Sequence, residues 1–173
     1  MERFWNIVYY FAYRAVYRFY KLYKKIEPGW LLTKLLYRIP FIRNFQEKRG
    51  RTLSIMEKDI DEAFKNPEYG LSGKFAYALV VGGQFSVILG LIFCFPNREL
   101  PPELSLVFFI AVGVYDYITL LHKDKYLKNG RKFAKEPSQW KVKWKWISMG
   151  VILFQFFFFF FAAFVLNPYI KNP

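Results

Sequence analysis

Read as apolar against polar positions, the chain falls into long blocks, not the short alternation that strands require. Three uninterrupted apolar runs stand out: FAYALVVGGQFSVILGLIFCF (75–95), LSLVFFIAVGVYDYITLL (104–121) and ISMGVILFQFFFFFFAAFVL (147–166). A helix rises ~1.5 Å per residue and a bilayer's hydrocarbon core is ~30 Å thick, so about 20 residues cross it. All three runs are near that length, and the one charge inside them is Asp116. A chain of 173 residues has too little polar helix to bury three such rods in a soluble core. The pattern predicts an all-α membrane protein with three transmembrane helices, preceded by basic-aromatic interfacial amphipathic helices.

Four regions follow. Residues 1–46 are expected to form cytoplasmic interfacial helices and 47–74 a short soluble helix with its linker. Residues 75–166 hold the three spans and a basic connector (122–145), and 167–173 form an external tail.

The opening stretch, RFWNIVYYFAYRAVYRFYKLYKK (3–25), mixes aromatics with cations. At ~100° per residue Arg3, Arg14, Arg18, Lys21 and Lys25 fall on one narrow stripe. Trp5, Tyr9, Ala12, Val16, Phe19 and Tyr23 face away from it. That is the pattern of a helix lying in the membrane interface, or packing its aromatic face on the protein's own spans. Crossing is disfavoured, because an arginine near the bilayer centre costs ~2.5–3.5 kcal/mol. In PGWLLTKLLYRIPFIRNF (28–45) the pattern repeats, with Pro28 opening a helix, Lys34 and Arg38 one turn apart, and Pro40 ending it.

RGRTLSIMEKDIDEAFKNPEYG (49–70) differs. Ser54 with Glu57 reads as a capping box and Asn66–Pro67 as a stop. Met56, Ile60, Ala63 and Phe64 share a stripe. Glu57, Asp59, Asp61 and Glu62 lie off it, an acidic face expected to dock on the basic connector 122–145.

Charge then assigns direction. Residues 1–74 carry 15 basic and 8 acidic side chains, and 122–145 carry 9 and 2, whereas PNRELPPE (96–103) has one arginine and two glutamates. Counting Lys and Arg on short loops puts 1–74 and 122–145 in the cytoplasm, giving an N-in, C-out multi-pass protein of the cytoplasmic membrane. Pro96 and Pro101–Pro102 make spans one and two a tight hairpin. Span two is expected to run on to Lys128, capped by Asn129–Gly130, and Pro137 to open the third helix. Trp140, Trp144 and Trp146 are expected at headgroup depth, with Lys141, Lys143 and Lys145 reaching for phosphates. No cleavable signal peptide is expected, since Arg14 and Arg18 follow the first apolar stretch without a small-residue cleavage site.

Candidate chemistry is sparse. Ala78, Gly82, Ser86 and Gly90 recur every four residues along span one, a groove for close helix packing. Gln84, Asp116 and Gln155 are the strongly polar groups within the spans, a candidate intramembrane polar site. Spacing allows a hydrogen bond between the two glutamines, and a bridged link from Asp116 past Thr119 to Lys123. One cysteine (Cys94) and one histidine (His122) support neither a disulfide nor a metal centre. No hydrolase elbow, phosphate-binding glycine loop or zinc motif is present, so no enzyme activity and no cofactor are expected. Nucleic acid is not an expected partner, because the aromatics face away from the cations instead of interleaving with them. The expected function is a membrane anchor, adaptor, accessory subunit or immunity-type protein, contacting anionic headgroups and a protein partner or a second copy. The alternative is a homo-oligomeric channel or small transporter using Gln84, Asp116 and Gln155. A weaker one is a membrane-disrupting defence or lysis effector.

Overall fold

The computed structural model describes residues 1–24, 28–66, 70–94 and 102–166, and all regular structure among them is helical. Lys25, Pro67, residues 96–101 of the connector and the tail 167–173 lie outside the described residues. In chain order the helices are α1 (Glu2–Lys24), α2 (Pro28–Tyr37), α3 (Pro40–Lys48), α4 (Leu53–Lys65), α5 (Leu71–Cys94), α6 (Pro102–Asp116), α7 (Lys125–Ala134) and α8 (Ser138–Phe161). They form two compact units, Met1–Ala12 with Ala76–Pro173, and Tyr13–Phe75. The boundaries cut through α1 and near the start of α5.

The first unit contains the apolar runs. Three helical stretches are long and apolar enough to cross a membrane: Leu71–Cys94, Glu103–Ala134 and Ser138–Leu166. The second is not one straight rod. After Asp116 the ladder widens into a π-helical turn (Tyr117–Leu121), then tightens into a 3₁₀ turn (His122–Asp124). Lys123 and Asp124 both hold left-handed backbone, φ +57° and +55°, which ends the α-helical register. The expected run to Lys128 is therefore broken early, and Asn129–Gly130 is no cap. The backbone stays helical through it as part of α7, with Gly130 against the Tyr10 ring. Pro137 does stand at the N-cap of α8.

Contacts set the directions. Gly83 meets Gln155, Gly90 meets Phe158 and Ala162, and Phe93 lies 6.0 Å from Phe159, so numbers rise together and α5 runs parallel to α8. Phe85 meets Phe109 at 5.3 Å while Gln84 and Tyr77 lie near Asp116, so α6 runs antiparallel to α5. Two hypothetical methyl groups show how close the parallel pair comes. One at Gly83 would overlap Oε1 of Gln155, and one at Gly90 would sit 2.9 Å from the Phe158 ring.

The packing face of α5 thus differs from the four-step groove. Gly90 belongs to it, but Ala78 is exposed and nothing approaches Gly82, while Ser86 turns its hydroxyl back to the Gly82 carbonyl (2.7 Å). Ser72, Gly73 and Val81 are buried, and Ala76, Val80, Gly83 and Gly90 are buried along one side. Their three- and four-residue steps keep one side of a 3.6-residue helix aligned with a parallel neighbour, whereas strict four-residue steps drift around it.

The first half of α1 completes this unit's core. Ile7, Tyr10, Phe11 and Phe133 form a buried cluster on which Trp140 and Trp144 pack. Phe4 meets Trp144 and Tyr9 meets Tyr126, both edge to face.

In the second unit, α4 packs against the second half of α1. Tyr20 stacks flat on Phe64, centroids 3.8 Å apart. The N-cap of α4 is Thr52, whose hydroxyl accepts from the Ile55 amide, so Ser54 lies inside the first turn and the Ser54–Glu57 box is not formed. Glu57 instead reaches Lys24. Pro40 is the first residue of α3, so it opens a helix as well as following one.

Candidate functional site

Two sets of side chains bear on function: cations and aromatics on the helix surfaces, and polar groups buried among the long helices.

On the surface, Arg3 and Arg18 are exposed and Arg14 is half-buried. Lys21 is exposed, with its ammonium 5.0 Å from the Tyr17 ring centre. Trp5 is half-buried beside Phe4, ring centres 5.3 Å apart. Of the three tryptophans expected at headgroup depth, Trp140 and Trp144 turn inward onto the Phe11–Phe133 cluster. Trp146 faces out, with the Lys145 ammonium 5.1 Å from its ring. The four-residue step between Trp140 and Trp144 keeps both on one helix face, and Trp146 falls on another.

The acidic face of α4 has a partner within its own unit. Lys24 lies 2.8 Å from Asp61 and 3.1 Å from Glu57, and Tyr20 donates to Asp61 at 3.0 Å. The pairing follows the aromatic stack, which brings the end of α1 alongside α4. The Lys24 hydrogen bond, aided by that from Tyr20, holds the Asp61 carboxyl below its usual range, although burial opposes it. Burial works against the Lys24 charge, but its bonds to Asp61 and Glu57 outweigh that and carry the ammonium above its usual range. Tyr13, pushed upward by burial and by neighbouring Tyr17, donates to the Lys65 carbonyl and fastens the other end of α4.

The buried set centres on Asp116. Its side chain is fully enclosed, and neither carboxylate oxygen has a hydrogen-bond partner. The Gln84 carboxamide approaches it without forming a bond of good geometry, leaving Nε2 unpartnered. Tyr77 lies close enough on α5 to feel its charge, as does Tyr115 on α6, whose buried hydroxyl is approached by Trp5 without a bond of good geometry. Asn6 covers the π-helical turn, donating through Nδ2 to the Thr119 carbonyl and the Glu2 carbonyl, both at 2.9 Å. The Thr119 hydroxyl donates to the Asp116 carbonyl at 3.4 Å.

Gln84 and Asp116 are therefore neighbours, but the expected glutamine pair is not made. Oε1 of Gln155 is lodged against Gly83 and has no partner. The Asp116–Lys123 link is also absent, since the π-helical and left-handed residues destroy the shared face and Lys123 is exposed. Tyr115 and Asn6 were not singled out as site residues in the sequence. Asn6, a carboxamide among the apolar neighbours Ile7 and Val8, carried the usable signal. Among the described residues no group of three or more His, Cys, Asp or Glu could hold a metal ion.

No family model matches this chain, and neither a curated protein nor a solved structure does.

Proposed function

We propose that the chain is a non-enzymatic multi-pass membrane protein acting as an anchor, adaptor, accessory subunit or immunity-type protein through lipid and protein contacts. One observation carries this reading. In α2 and α3, Leu31, Leu32, Leu35, Leu36, Phe41 and Phe45 are all exposed. Lys34, Arg38, Arg43 and Arg49 stand among them, also exposed. A helical pair with so little core of its own needs an apolar surface to lie on, and its exposed cations suit a bilayer of acidic lipids.

The direction proposed is N-in and C-out. The parallel course of α5 and α8, with α6 antiparallel, supports an odd number of crossings. Residues of 1–12 pack on residues of 122–145 at one end of the long helices, which supports gathering these cationic segments on one side. In a Cys94→Ser background, cysteines placed at Asn97 and Lys128 should label from opposite faces of sealed vesicles. Equal labelling of both from one face contradicts the three-span layout.

The adaptor role predicts co-purification, in mild detergent, with another protein or a second copy at fixed stoichiometry. Leu35→Ser with Phe41→Ser should reduce retention on anionic vesicles. Recovery as a lone monomer from native membranes, with unchanged vesicle retention in the double variant, counts against the reading.

A further inference from the structure

The buried groups around Asp116 have a use that anchoring does not require. An ionised carboxylate sealed from water costs several kcal/mol unless something neutralises it. Among the described residues no lysine or arginine does so: Gln84 alone comes within hydrogen-bonding influence, and neither carboxylate oxygen has a hydrogen-bond partner. Glu2 on α1 lies close enough to Tyr115 to influence it, and it pairs with Lys125 on α7 at 3.1 Å. From α5 come Tyr77 and Gln84, from α6 Tyr115, and the buried polar residues of α8 are the uncharged Ser148 and Gln155.

The unpartnered atoms are chemically alike. The two Asp116 oxygens, the Tyr115 hydroxyl and a carboxamide whose orientation can present oxygen are hard donors. One carboxylate balances one positive charge, and a divalent ion would leave an uncompensated charge among apolar helices. The site also lies where the helical ladder widens to a π-turn, an irregularity frequent at functional sites. We propose that Asp116, with Gln84 and Tyr115, binds one sodium-like monovalent cation inside the helical bundle. Asn6 is a positioning residue, holding α1 over the π-turn through the Thr119 carbonyl. This proposal does not depend on the adaptor reading.

The test uses the full-length protein in detergent. Thermal unfolding is followed in sodium chloride and in N-methylglucamine chloride at equal ionic strength, from pH 5 to pH 9. At alkaline pH, sodium should raise Tm saturably where N-methylglucamine does not, and the gain should shrink as acid competes. Equilibrium binding of radioactive sodium should then reach one ion per chain. Acid stabilisation without a sodium response shows a buried carboxylate that takes a proton and no cation, and overturns the proposal. Asp116→Asn, nearly isosteric and neutral, should remove the sodium response. Gln84→Leu and Tyr115→Phe should weaken sodium binding by roughly tenfold each, as loss of a single ligand contact does, while sparing an acid response. The proposal is overturned if the wild type binds no sodium. It is equally overturned if the two salts act alike, or if Asp116→Asn responds to sodium as the wild type does.

Discussion

The two halves of α1 share a composition and part company in structure. Residues 2–12 bury Asn6, Ile7, Val8, Tyr9, Tyr10, Phe11 and Ala12 in succession. In residues 13–24 only Tyr20 is buried, and Phe19, Leu22 and Tyr23 are left exposed. Aromatic content does not separate them. What separates them is the spacing of charge: between Arg3 and Arg14 ten residues pass without an ionised side chain, more than two turns that can be buried on every side. From Arg14 onward Arg18, Lys21 and Lys24 return at every turn, so this half keeps one flank in a polar medium.

The largest test of this contrast is Phe11→Ala. Phe11 fills the cluster with Tyr10, Phe133 and Trp140, so the cavity should cost about 3–5 kcal/mol, read as a lowered midpoint in denaturant titration of the detergent-solubilised protein. A loss under 1 kcal/mol would mean that the first half is not packed as described.

A smaller effect is expected at the end of the second half. Lys24→Met removes a pair whose carboxylate partners are about half exposed, so roughly 0.2–1 kcal/mol is expected at neutral pH. Asp61 has a depressed folded pKa, so its stabilisation is complete above the unfolded value of 3.8 and disappears as pH falls through the lower folded value. Lys24 has a raised folded pKa, so its contribution is complete below 10.5 and disappears as pH rises through the higher folded value. The difference between wild type and variant should hold across the middle of the pH range and close at both extremes. A constant difference at every pH points to packing instead of charge.

The smallest effect on stability belongs to Phe19→Ser with Leu22→Ser, both exposed side chains. Within about 0.5 kcal/mol, unfolding should not change. Retention on anionic vesicles should fall if this half lies on lipid. Unchanged retention assigns the exposed face to a protein partner.

How far the sequence disclosed all this depended on whether a feature was one-dimensional. The long apolar helices are properties of uninterrupted runs and were visible at once. The turn-level features were not. Thr52 displaced Ser54 as the cap because the helix began two residues earlier than the Ser54–Glu57 box implied. The close-packed positions of α5 depend on which neighbour it meets and in which direction, so the regular series of small residues shares only Gly90 with the contact to α8. Asp116 could be found as the one ionisable group in the apolar runs, but its surroundings could not. Its Gln84 neighbour is a tertiary contact with α5, and the π-turn that removed Lys123 leaves no mark in composition.

The paired left-handed residues Lys123 and Asp124 have a mechanical meaning. A helix carries torque along its axis only while its hydrogen-bond ladder is continuous, and at these two residues the torsional shaft is cut. α1 nevertheless bridges the joint, clasped to α7 through Tyr126 and Phe133 and to the π-turn through the Asn6–Thr119 hydrogen bond, so both sides of the break are referenced to one helix.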